Sequence, residues 1–205
     1  MNRATYWSLY QGHLIWMVSI INIGIGFLIP NFDVLAKSIS HVALEAPIYS
    51  VTHRAADILI GISMCVFSIG IYASSKYRFS SGALTIMLLG FSMISAGIWT
   101  LESPLHLLYN LSIFMILIPV CVALEFKGRL SSNRFEELSI ILSLIHVFMF
   151  WLIYAGFIPS SYNGLIQRMW AIPTMGWFGY AAVVIINNKH RIIINSSKDI
   201  SQSKA

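Results

Sequence analysis

His53 and Asp57 stand four residues apart in "SVTHRAADILIGISMCVF", and Glu102 and His106 keep the same spacing further along. Residues four apart share one face of a helix, so each pair sets a carboxylate beside an imidazole. Such a pair can pass a proton, hold a hydrogen-bonding ligand, or offer two of the ligand types zinc takes. Arg168 adds a guanidinium, the side chain that recognises carboxylate and phosphate through two parallel hydrogen bonds. Asp57 falls about two helical turns below Ser50. A charge at that depth of an apolar segment is expensive and must face the interior of a bundle.

Three chemistries fit these residues. In a structural role, the carboxylates complement helix N-termini and Arg168 is the counter-charge of Asp57 or Glu102, fixing helix register. In a binding role, Arg168 anchors an anion, His53 and His106 donate or accept hydrogen bonds, and Asp57 and Glu102 orient them. In a metal role, His53, Asp57 and His106 supply zinc ligands and Glu102 serves as general base for hydrolysis. His13 and His146 are lone histidines on apolar faces and read as packed residues; His190 reads as solvated.

The elements that must position this cluster are membrane spans. Charged residues make up 10% of the 205-residue chain and hydrophobic residues 57%, with mean hydropathy +0.75. A water-soluble domain carries about 25% charged residues. Uncharged runs cover Ala4–Phe32, Phe79–Leu101, Ser103–Leu124, Leu138–Gln167 and Met169–Asn188, with a shorter one over Ile58–Ser75. A bilayer core of ~30 Å needs roughly 20 helical residues. Continuous runs rather than alternating ten-residue segments exclude a β-barrel. The fold class is therefore all-α, a bundle of six transmembrane helices spanning about 13–30, 52–74, 80–101, 104–125, 138–158 and 165–187. A basic tail, 188–205, follows. The first apolar run is too long for the core of a signal peptide and reads as a retained span.

With the amino terminus inside, ten Lys and Arg residues fall on the cytoplasmic side, against Lys37, Arg54 and Arg168 on the other. That bias places both termini in the cytoplasm of a cell (inner) membrane protein. It also accounts for the net charge of +5 without nucleic acid. Cys65 and Cys121 lie within spans and form no redox motif. In the longest outer connection, 31–51, Ile39, Val42, Ala43 and Ile48 suggest a short helix lying on the bilayer. Gly24-x-Gly26 and the pair Gly90 and Gly97 suit close helix packing. The polar residues gather at the outer end, whereas the inner end shows mostly single, solvent-facing Lys and Arg. Ser50-x-x-His53-x-x-x-Asp57, Ser103-x-x-His106-x-x-x-Asn110 and Ser161-x-x-Gly164-x-x-x-Arg168 share offsets. They read either as a triplicated hairpin or as the ordinary gathering of serine caps at helix starts.

The segments "LAKSISHVALEAP", "ESPLHLLYNLSIFMILIP" and "NGLIQRMWAIPTMGWFGYAAVVI", spread over most of residues 10–187, resemble the multi-pass membrane family known as domain of unknown function 998. The resemblance implies a six-helix membrane bundle and brings no activity with it. From the residues, the expected function is non-enzymatic: binding or moving a small polar or lipid-like ligand through an outer-leaflet pocket of His53, Asp57, Glu102, His106 and Arg168. A membrane-embedded, zinc-dependent hydrolase is the alternative from another class.

Overall fold

The computed structural model describes residues 1–130 and 133–202, without the side chains of 107, 109–112 and 189–202. Helices α1 (Arg3–Ile25), α2 (Pro47–Ser74) and α3 (Ser81–Ile98) are followed by a 3₁₀ segment, Pro104–Ile116. Then come α4 (Ile118–Glu125), α5 (Asn133–Tyr154) and α6 (Asn163–Gln202), and no strand occurs among the described residues. Among the described residues, five stretches are long and apolar enough to cross a bilayer: Arg3–Leu28, Pro47–Ser74, Ser81–Ile98, Asn133–Tyr154 and Ser160–Asn188. The shortest of them, α3, reaches about 27 Å at 1.5 Å per residue.

The fourth expected span, 104–125, is not one α-helix but the 3₁₀ segment joined to α4. Pro119 explains the join. A proline has no N–H to donate four residues back, and its ring crowds the carbonyl there, so it is tolerated only in the first turn of α4. At the other end of the chain, α6 runs on through Gln202 into the basic tail expected at 188–205, of which 203–205 lie outside the described residues.

Neighbours in sequence are neighbours in space. Helix α1 packs on α2, α2 on α3, α3 on the 3₁₀ segment and α4, α4 on α5, α5 on α6, and α6 returns to α1. The result is a closed ring of elements. Its apolar core holds Leu9, Ile15, Ile60, Met64, Phe67, Ile118 and Phe178, all essentially inaccessible. Phe67 of α2 meets Phe178 of α6 edge-to-face, with centroids 5.7 Å apart, the arrangement that aromatic quadrupoles favour. Outside, Ile21, Val51, Ile69, Phe91, Leu144 and Phe148 are exposed, an apolar exterior suited to lipid rather than water.

Local chemistry sets the helix ends. Asn2 caps α1 by accepting from Thr5 N at 2.8 Å, and Pro47 opens α2, where its missing N–H costs nothing. Arg54 Nε and Nη2 donate to the Gly97 and Ile98 carbonyls at the end of α3, and Arg129 Nη1 to the Ser74 carbonyl at the end of α2. Cations placed there answer both the orphan carbonyls and the helix dipole. Ser50 lies inside α2, Ser103 caps the 3₁₀ segment, and Ser161 sits in a short 3₁₀ turn, Ser160–Tyr162. The three serines thus hold unlike positions, against a triplicated hairpin; the side chain of Asn110 lies outside the described residues.

The expected bilayer-surface helix in the first outer connection is a 3₁₀ turn, Ile39–Leu44. Its Val42 is fully buried against Ile25, Ile29 and Phe32, so the turn is folded into the protein instead of floating on it. The end expected to face the cytoplasm also departs from its reading as single, solvent-facing cations. Glu125 is buried there, its Oε2 accepting from Ser80 Oγ at 2.8 Å and Gly82 N at 3.2 Å. Ser80 in turn caps α3 by accepting from Ala83 N at 3.0 Å. The carboxylate thereby ties α4 to the positive end of α3. Glu125→Ala should lower stability by about 1–3 kcal/mol, the usual cost of orphaning buried donors. A reduced midpoint of reversible unfolding in mixed micelles would show it, and Glu125→Gln should restore part of the loss.

Candidate functional site

One buried polar ring lies where α1 passes the first turns of α2. Asn22 Nδ2 donates to Asp57 Oδ1 at 2.8 Å, and Asn22 Oδ1 bonds to His53 Nδ1 at 2.8 Å. The ring closes through His53 Nε2 and Asp57 Oδ2, 3.3 Å apart. Asn22, His53 and Asp57 are 3%, 2% and 5% exposed. The i,i+4 spacing on α2 supplies two corners and α1 supplies the third. Asn22 was not legible beforehand, because a single amide in a long apolar run carries no pattern. Ser19, one turn earlier on the same face of α1, is the signal that could have pointed to it.

Beside the ring is a cavity of about 60 Å³. Its polar wall comes from Ser19, Asn22, His53 and Asp57, with Ser40 from the 39–44 turn and Gln167 from α6. Its apolar wall includes Ile60, Leu89, Met93, Met115 and Met175. Helices α1, α2 and α3, the 3₁₀ segment and α6 all contribute to it, but of the five expected pocket residues only His53 and Asp57 line it. A water needs roughly 10–15 Å³ by this kind of measure, so the space holds on the order of four waters or one small solute. Ser19 is 2% exposed and its Oγ has no hydrogen-bond partner.

Arg168 is placed differently from expectation. It is 4% exposed and pairs with neither Asp57 nor Glu102. Its Nη1 donates to the carbonyls of Val34, Lys37 and Gly164 at 2.8, 2.9 and 2.9 Å. Phe27 stacks toward it, 5.9 Å from the guanidinium carbon. Asp57 is satisfied by Asn22 and His53, so it needs no distant cation, whereas the turn at 33–37 presents carbonyls straight to α6. Leu165 N also donates to the Leu35 carbonyl, and Gln167 Oε1 accepts from Ile39 N. The connection between α1 and α2 is thus strapped to the start of α6. Arg168 is a strap residue outside the cavity wall; Gln167 is its neighbour on that wall.

Glu102 and His106 are not stacked on a helix face. Glu102 is exposed and precedes Ser103, the cap of the 3₁₀ segment, so the four-residue rule for α-helices does not reach it. His106 Nδ1 lies 2.7 Å from the Trp99 carbonyl. Neither lines the cavity. The zinc alternative of His53, Asp57 and His106 is not assembled: among the described residues no three His, Cys, Asp or Glu side chains gather as a metal site. His146 is packed as expected, 1% exposed and 2.9 Å from Thr174 Oγ1. Trp177 is likewise internal, donating to Ser139 Oγ at 2.9 Å. Cys65 and Cys121 are free and half-buried.

No curated protein and no solved structure matches the chain. A family model does, over residues 12–184, an interval that runs from within α1 to the middle of α6 and holds every residue of the polar ring, and its description is "Protein of unknown function (DUF998)". With its apolar helices and that match, this membrane protein belongs to the DUF998 family.

Proposed function

We propose that this protein binds a small polar solute in the cavity beside Asn22, His53 and Asp57. The site lies in the half of the bundle that the Lys and Arg asymmetry assigns to the outer leaflet of the cell membrane, with both termini cytoplasmic. The observation that carries the reading is a space of about 60 Å³ whose wall includes a buried Ser19 Oγ with no protein partner. Burying a hydroxyl without a hydrogen bond costs about 1–3 kcal/mol in protein mutational series. Buried polar atoms nearly always have partners, so an occupant that bonds to Ser19 removes that cost. The size of the cavity favours a solute of a few heavy atoms over an acyl chain.

The test is a stability screen of the purified chain in nanodiscs against small polar solutes. A true ligand at a hundred times its Kd should add about 2.7 kcal/mol to the folded state. Ser19→Leu, which extends an apolar branch into the space, should fold and lose that gain. Equal protection of the wild type and the filled variant, or no protection by any solute, overturns the reading.

A further inference from the structure

The Asn22–His53–Asp57 ring can be closed only by counting its hydrogens. Asn22 gives its N–H to Asp57 and its carbonyl oxygen to His53, so His53 Nδ1 must carry a hydrogen. In a neutral imidazole that leaves Nε2 a bare lone pair, and it faces Asp57 Oδ2 at 3.3 Å. Two lone pairs set face to face in a buried pocket repel one another. One additional proton removes the conflict, whether it sits on Nε2 or on Oδ2. Turning the Asn22 amide over changes which atoms carry hydrogens but not their number. Asp57 must then donate to the amide oxygen, and the count is again one beyond a neutral histidine and a carboxylate.

We propose that this ring is a proton-binding site, holding one proton between His53 and Asp57, and that its release turns the cavity into a site for a small monovalent cation. The second half rests on the cavity being a binding site, as argued above. Loaded, the ring is neutral overall, either as imidazolium with carboxylate or as imidazole with carboxylic acid. Unloaded, it carries one negative charge and two lone pairs turned toward one another, beside the unpartnered Ser19 Oγ. A cation entering as the proton leaves for solvent conserves charge: one positive charge in, one out. Oxygen and nitrogen acceptors suit an alkali ion or a primary ammonium group.

No other charged side chain lines the cavity among the described residues. Arg54, on α2 itself, is spent on the Gly97 and Ile98 carbonyls. From α6, Arg168 gives Nη1 to three backbone carbonyls and leaves Nε and Nη2 buried without a partner, but it stands outside the cavity wall. Around the 39–44 turn, Lys37 pairs with Glu45 at 2.9 Å and His41 bonds to Ser38. From α1 the wall receives Ser19, Asn22 and Ile23, from α3 Leu89 and Met93, and from the 3₁₀ segment Met115, none of them titratable.

Calorimetry on the full chain in nanodiscs tests this, with sodium or methylammonium chloride titrated in two buffers of different ionisation enthalpy. The expected result is one proton released per cation bound, with apparent Kd rising about tenfold for each pH unit lowered while the ring is loaded. Tighter binding of methylammonium identifies an amine as the natural occupant, and tighter binding of sodium identifies an alkali ion. Tetraethylammonium, too large for the cavity, should not bind. Asp57→Asn supplies an N–H to His53 Nε2 permanently, so it should keep the wild-type unfolding midpoint and lose cation binding. Cation binding without proton release overturns the proposal, as does an Asp57→Asn variant that unfolds far more easily. Protection by neutral solutes without any cation binding overturns it too, while sparing the function proposed above. Failure of every solute removes both.

Discussion

Gly61→Val should leave little folded protein in mild detergent. A Cβ at Gly61 of α2 would come within 2.5 Å of the Gly90 carbonyl oxygen and 2.8 Å of Ile94 N, both backbone atoms of α3. Neither can rotate aside, so the whole α2–α3 contact would have to open. Overpacking a core usually costs about 1–3 kcal/mol when side chains can shift. Here a helix must move, and the expected loss exceeds that range. In membranes this tight approach is also a source of helix association, since lipid supplies no hydrophobic drive between spans. Size-exclusion profiles and unfolding midpoints would measure the effect. A Gly61→Val protein with wild-type stability would mean that α2 and α3 are farther apart than described. Gly90 and Gly97 make the same interface from the α3 side, as their spacing suggested, whereas nothing lies near a Cβ at Gly24.

Arg168→Met should be the next most damaging change, about 1.5–3 kcal/mol, the usual worth of hydrogen bonds to a charged group. It removes the donor shared by Val34, Lys37 and Gly164 and leaves the turn at 33–37 held mainly by the Leu35 carbonyl and Gln167. The site of damage is as diagnostic as its size. Limited proteolysis should cut within 33–45 in the variant and spare it in the wild type. Arg168→Lys should rescue poorly, because an ammonium cannot spread donors as a guanidinium does. Combining Arg168→Met with Asp57→Asn should give nearly additive effects, within about 0.5 kcal/mol, since the two share no hydrogen-bond partner. Strong coupling between them would reinstate the ion pair expected from sequence.

The contrast between Asp57 and Arg168 shows what could be read from the chain. Composition and run lengths were sufficient for membrane-crossing helices, because the cost of burying backbone and charge in lipid leaves few alternatives. The four-residue step from His53 to Asp57 was sufficient for one edge of the ring, because helical geometry is local. Partners across helices were not legible. Asn22 is one amide among apolar neighbours, and Arg168 spends itself on carbonyls, which every residue carries and no sequence distinguishes. Glu125 was overlooked for a related reason: its partners, Ser80 and the Gly82 amide, lie on another element. Glu102 and His106 misled because spacing implies a shared face only once the helix type is known.

That helix type has a mechanical consequence. At about 2.0 Å per residue, the thirteen residues from Pro104 to Ile116 reach roughly 26 Å. Rewound at 1.5 Å per residue, the same residues reach roughly 20 Å. The segment is tethered near Trp99 at one end and ends beside Met115 of the cavity wall at the other. Wound wholly as an α-helix, the segment would be about 6 Å shorter, so its 3₁₀ form sets how far Met115 stands from Trp99.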